Sequence, residues 1–231
     1  MRVRVASYNL RGLGDDAAAA AQVVRALDPD VLLLQEVPRH PGSSYRISAF
    51  ARACDLLWSG RTRLLSRTAV LTSLRVVASD AVDRALPPAD RTVRRRLEAR
   101  GYTTCRVHRP GGAAVAFASV HLSLDPDERV DHAGRVLAEL AEDPVLGRGP
   151  TVVGGDLNES VEGRAWTLLG ERLREVTPDR PTFPSGRPQH RIDAIFASTD
   201  IPVLPGPGPE LDEALLRRAT DHLPVWADLD L

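Results

Sequence analysis

Asp156 and Asn158 close the segment Thr151-Val152-Val153-Gly154-Gly155-Asp156-Leu157-Asn158-Glu159, an apolar run that ends in two glycines. On an extended segment alternate side chains point the same way, so both polar groups can face one site while Leu157 anchors the other side. The glycines let the backbone bend and come close to whatever binds there. Many turns follow this pattern, and it gains weight from the ends of the other apolar segments. Asn9 follows residues 2–8, Glu36 follows 31–34, and His121 ends a run over 113–122. Asp193 lies in 191–196, and Asp221-His222 precede 223–229.

A lone histidine or glutamate at a strand end usually has a structural or solvated role. Six strand ends carrying only carboxylate, carboxamide and imidazole point to a shared site instead. Strand edges of a layered α/β domain converge on one rim, where sites are built. Hard oxygen donors without thiolate suit Mg²⁺ or Mn²⁺. Hydrolysis of a phosphate ester needs its charge neutralised, a water activated and a leaving oxygen stabilised. A histidine oriented by a carboxylate can take a proton from water near neutral pH.

The elements that must position these groups are legible in outline. Residues 2–8 alternate polar and apolar, a half-buried strand. Asp15 and Asp16 can cap a helix through the alanines to Leu27. Val31-Leu32-Leu33-Leu34 reads as a strand covered on both faces. A helix is expected over 47–58, with Phe50, Cys54 and Leu57 inward, and strands over 64–66 and 69–77. Residues 80–100 are the least readable, polar with an Arg94-Arg95-Arg96 cluster. A hairpin is expected from 102–108 and 113–122 around Pro110-Gly111-Gly112. Asp125-Pro126 starts a helix through Leu140, with Val130, Leu137 and Leu140 on its buried face. A further helix carries Trp166, Leu168 and Leu169, followed by a Pro-rich loop with Thr182 and Phe183.

The 231 residues show neither an internal repeat nor a linker with a shift in composition, so a single domain over 1–231 is expected. A formal net charge of -1 gives no global basic field of the kind a dedicated nucleic-acid binder carries. Every basic residue apart from histidine is Arg, so Arg abundance by itself says little about phosphate binding. Cys54 and Cys105 stand far apart in no metal-type spacing and read as buried thiols. The N-terminus goes straight into a strand, and no segment is long and apolar enough to span a membrane, so a cytoplasmic location is expected.

Ser7-Tyr8-Asn9, Gln35-Glu36, Ser119-Val120-His121-Leu122, Gly155-Asp156-Leu157-Asn158, Arg191-Ile192-Asp193-Ala194-Ile195-Phe196 and Thr220-Asp221-His222-Leu223-Pro224-Val225 together resemble the motifs of the endonuclease/exonuclease/phosphatase superfamily. They occur in that family's order from residue 7 to 225. The resemblance implies a DNase I-like four-layer α/β sandwich: two mixed β-sheets face to face, helices outside, the site at one edge. It implies Glu36 as the main Mg²⁺ ligand, Asn9 beside it, and Asp221 near the metal as a second ligand. It implies that Asp193 orients His222 as general base and that Asp156 positions or helps activate the attacking water. Asn158 would bind the scissile phosphate, and His121 would stabilise its oxyanion or act as general acid. Asp156 and His222 both remain candidates for taking the proton.

His121 in Ser-Val-His-Leu resembles the DNase I, sphingomyelinase and inositol-phosphatase branches. Many bacterial relatives carry a Gly-Asn pair before an Ile-Leu-Ser-Arg segment. This chain has Arg61-Thr62-Arg63-Leu64-Leu65-Ser66-Arg67 instead, which leaves open what supports the phosphate side. Arg61, Arg63 or the 94–96 cluster could replace the pair or be a solvated loop. The expected activity is hydrolysis of a phosphodiester in nucleic acid, with Mn²⁺ as a substitute metal. The alternative is a phosphatase or phosphodiesterase on a small or lipid-linked phosphate. Near-zero charge and 4% aromatic residues do not favour long-duplex binding. A binding module that has lost its chemistry is disfavoured by the intact motif set.

Overall fold

The computed structural model describes residues 2–39, 41–60, 66–87, 100–108, 111–144, 146–147 and 149–231. In chain order the elements are β1 (Arg2–Asn9), α1 (Ala17–Leu27), β2 (Val31–Gln35), α2 (Ser43–Ala53), β3 (Leu57–Trp58), β4 (Thr68–Thr72), β5 (Val77–Leu86) and β6 (Arg100–His108). There follow β7 (Val115–His121), α3 (Pro126–Glu142), β8 (Thr151–Asp156), α4 (Arg164–Gly170), β9 (Arg174–Glu175), β10 (Asp193–Ala197), α5 (Glu213–Ala219) and β11 (Val225–Asp230). A five-stranded sheet runs β11-β1-β2-β4-β3 and a six-stranded sheet runs β5-β6-β7-β8-β10-β9. Each is mixed: β1–β2 and β7–β8 pair in parallel, and the other pairs are antiparallel.

The layering follows from the period-two alternation of side chains. Val31 and Leu33 of β2 enter a core between the sheets with Val5, Phe117, Val152 and Ile195. Leu32 and Leu34 point the other way and pack with Tyr8, Leu71, Val24, Leu27 and Ile47 under α1 and α2. The second sheet does the same, sending Ala118, Val153 and Phe196 outward against Val136, Leu140, Trp166 and Leu169 of α3 and α4. Helix, sheet, sheet and helix thus form the four layers the sequence resemblance implies.

Asp16 and Asp125 cap α1 and α3 by accepting from backbone N–H groups, as their types predict. Both cysteines are buried and free. Several expected boundaries move. The helix expected over 47–58 begins at Ser43 and ends at Ala53, because Asp55 turns left-handed (φ 59°) and breaks it. Leu57 then lies on a short edge strand and is half exposed rather than inward. The strand expected over 69–77 stops at Thr72, where Asp30 takes the Ser73 hydroxyl at 3.1 Å and turns the chain toward the other sheet. The polar stretch from residue 80 carries β5 as far as Leu86, α5 adds a helix to the expected elements, and Leu223 precedes β11 rather than beginning it. Residues 64–65, Arg61, Arg63 and the Arg94-Arg95-Arg96 cluster lie outside the described residues. Among the described residues no helix is long and apolar enough to cross a membrane.

Candidate active site at the sheet edge

The site is set by which strand ends meet. Asn9 and Gln35 are register partners at the ends of β1 and β2, and His121 pairs with Asp156 at the ends of β7 and β8. Asp156 in turn pairs with Asp193 at the start of β10. The two sheets are joined beneath the rim by a buried polar layer. Gln35 Nε2 donates to Ser119 Oγ at 3.0 Å, Ser119 Oγ donates to the Leu34 carbonyl at 2.8 Å, and Ser7 Oγ donates to Gln35 Oε1 at 3.3 Å. These motif residues support the pocket rather than line it.

Six of the expected residues come together. Asn9 Nδ2 donates to Asp156 Oδ2 at 2.9 Å and to Glu36 Oε1 at 3.3 Å. His121 Nε2 lies 3.5 Å from Asp156 Oδ2 and 4.0 Å from Glu36 Oε1. His222 Nδ1 lies 2.9 Å from Asp193 Oδ2, and its Nε2 lies 3.7 Å from Asp156 Oδ2. Asn158 is anchored at the edge of the group: its backbone N–H donates to Asp156 Oδ1 at 2.9 Å and its Nδ2 to the Leu122 carbonyl at 3.0 Å. Asp221 is turned to the rim, with Arg11 Nε 3.4 Å from its Oδ2. Glu36, Asn158, Arg11 and Arg67 all have left-handed backbone, near φ +50°. Such strain gathers at sites where surrounding contacts enforce it.

Thr182 holds the dyad in register. Its Oγ1 accepts from Asp193 N at 3.3 Å, and its carbonyl accepts from Leu223 N at 2.7 Å. Phe183 then lies against the His222 ring, centroids 4.9 Å apart.

Electrostatics separate the two histidines. Burial pulls His222 down, but the Asp193 carboxylate outweighs it through charge and hydrogen bond, with Asp156 and Asp221 adding, and pushes it up to about 9. His121 goes the other way: burial, then the positive Arg100 and Arg67 and His222, hold it well below the usual histidine range. Burial, then the negative Asp193, raises Asp156.

Among the described residues, two groups of ligand atoms could hold a cation: Glu36, His121 and Asp156, and Asp156, Asp193 and His222, each within 4.8 Å. Buried Asp193 Oδ1 has no hydrogen-bond partner, so an acceptor there is unspent. This carboxylate-rich donor set fits a hard divalent cation.

Two residues of this cluster escaped the sequence reading. Arg67 Nη2 donates to Glu36 Oε2 at 3.3 Å, and Arg100 Nη1 contacts the His121 ring, 2.8 Å from Nδ1. The signal available was Ser66-Arg67 itself, the end of the segment that departs from the bacterial pattern.

Layering and rim together define a four-layer α/β sandwich with a carboxylate- and histidine-rich pocket at one edge of its sheets. A model of the Endonuclease/Exonuclease/phosphatase family matches residues 6–222, and the chain belongs to that family. No curated protein sequence matches the chain significantly. Among solved structures, an endonuclease/exonuclease/phosphatase from Bacteroides vulgatus superposes with a TM-score of 0.76 at 19% identity, covering 100% of this chain and 99% of that one. One from Beutenbergia cavernae DSM 12333 gives 0.72 at 25%, covering 100% and 72%. The mannosyl-6-phosphatase of Bacteroides thetaiotaomicron VPI-5482 gives 0.75 at 20%, covering 99% and 100%.

Proposed function

We propose that this protein is a Mg²⁺-dependent phosphodiesterase that cleaves nucleic acid by in-line attack of water. The observation that carries this reading is the Asp193–His222–Asp156 chain, at 2.9 and 3.7 Å, set beside Glu36 and Asn9 in one pocket. Glu36 would hold the cation, with Asn9 beside it and Asp221 at the rim; Mn²⁺ would substitute. Such an ion, when bound, neutralises phosphate charge and acidifies bound water.

The chain's own residues do the rest. Asp193 accepts from Nδ1–H of His222, fixing the tautomer and turning Nε2 toward Asp156. His222 and Asp156 interact closely enough to titrate as a pair, and the pair takes the proton of the attacking water. His121, held neutral, serves as a hydrogen-bond donor to the developing oxyanion rather than as a charged acid. Asn158, held by Leu122, presents its remaining amide capacity to the scissile phosphate.

A second reading, a small or lipid-linked phosphate ester, is favoured by the net charge of -1 and the few aromatic residues. The solved mannosyl-6-phosphatase has the same fold. A panel with Mg²⁺ and with Mn²⁺ decides: plasmid and single-stranded DNA, RNA, bis-p-nitrophenyl phosphate, inositol phosphates and sphingomyelin. Cleavage of the nucleic acids and the diester supports the first reading. Turnover confined to small or lipid phosphates replaces it with the second, and no turnover on any substrate overturns both.

A further inference from the structure

We propose that Arg67 and Arg100 together form the phosphate-binding wall of this site, where their guanidinium groups take the non-bridging oxygens of the scissile phosphate. The inference rests on the phosphoesterase reading above. The arginines come from opposite sheets, Arg67 just before β4 and Arg100 at the start of β6. Gly101 lets them meet: a Cβ there would collide with the Ser66 backbone, so a side chain would push the Arg67 segment off β6. The Thr68–Thr103 hydroxyl contact at 2.8 Å fixes the crossing two residues further along each strand.

Their placement is specific. Arg67 reaches Glu36 Oε2, and Arg100 reaches the His121 ring, so both stand on the Glu36–His121 side of Asp156. The Asp193–His222 dyad meets the same Asp156 through His222 Nε2. In-line attack by water from the dyad leaves negative charge on the non-bridging oxygens around the axis of attack, and the guanidinium groups beside Glu36 and His121 supply donors for them. Arg67 is only 16% exposed in its side chain, and Arg100 is buried at 7%. Two guanidinium groups this far from bulk water are strong partners for a tetrahedral oxyanion, because each can present parallel N–H donors. They would supply the support that the missing Gly-Asn pair leaves open.

The test is calorimetric titration of inorganic phosphate into the metal-free protein, for wild type, Arg67→Gln and Arg100→Gln, with melting temperature measured on each. Steady-state kinetics on bis-p-nitrophenyl phosphate and p-nitrophenyl phosphate accompany it. Each glutamine variant should bind phosphate about tenfold or more weakly, the scale of a lost charge-assisted contact. KM should rise on both esters. If Arg100→Gln unfolds, Arg100→Lys keeps the charge but loses the fork, and it should bind phosphate at an intermediate strength. Folded variants that bind phosphate as well as wild type overturn the proposal. An inactive wild type whose phosphate binding still depends on both arginines would end the phosphoesterase reading and leave this one standing.

Discussion

His222 Nδ1 stands 2.9 Å from Asp193 Oδ2, closer than either histidine of the pocket comes to Asp156 or His121 to Glu36. It makes His222 more basic than a free histidine, up to about 9, despite burial that acts the other way. The consequence appears in the pH profile. Asp193→Asn removes the charge that raises His222, so the proton-accepting form is reached at lower pH. The acid limb of kcat/KM should move to lower pH and the plateau should fall. A limb that stays in place in metal-saturated enzyme would contradict the coupling.

Glu36→Gln keeps the shape of the side chain and removes its charge. Mg²⁺ affinity should drop by at least tenfold, read by calorimetry, and activity should follow. EDTA should abolish turnover in wild type. Zinc should not be the best metal, since the described cluster contains no thiolate and its histidines are divided between the two ligand groups. Wild-type-like Mg²⁺ binding by the variant would remove Glu36 from this role.

The two glycines before Asp156 make a graded stability test. A Cβ on Gly155 would collide with the Val120 backbone oxygen, whereas one on Gly154 would meet Leu33 Cδ1 at 2.7 Å, the far end of a movable side chain. Gly155→Ala should cost about 3 kcal/mol and Gly154→Ala about 1 kcal/mol, on the usual scale of overpacking. Urea denaturation of both variants checks the order, and equal losses would show that the β7–β8 backbone gives way.

The same geometry explains what could be read from the sequence. Asn9, Glu36, His121, Asp156 and Asp193 stand out because a polar group ends or opens an apolar strand, and that is a local signal. The four-layer fold was legible through the motif order and through Val31-Leu32-Leu33-Leu34, whose alternate residues fill two different cores. Arg100 was not legible, and Arg67 only as the end of the Arg61–Arg67 segment. In a chain with 30 arginines each looks like a surface charge, and only the packing of Ser66 on Gly101 makes them neighbours. The end of α2 escaped for a related reason: Leu57 fits the helical spacing, but the left-handed turn at Asp55 carries no strong residue signal.

The most direct test of the account is a double-mutant cycle on the dyad. His222→Ala and Asp193→Asn should each lower kcat on a phosphodiester by about a hundredfold or more, with smaller changes in KM. Because both disable one unit, the double mutant should be scarcely slower than His222→Ala. Melting temperatures measured alongside separate lost chemistry from lost structure. A destabilised but fully active Asp193→Asn, or two losses that multiply, would contradict water activation by this pair.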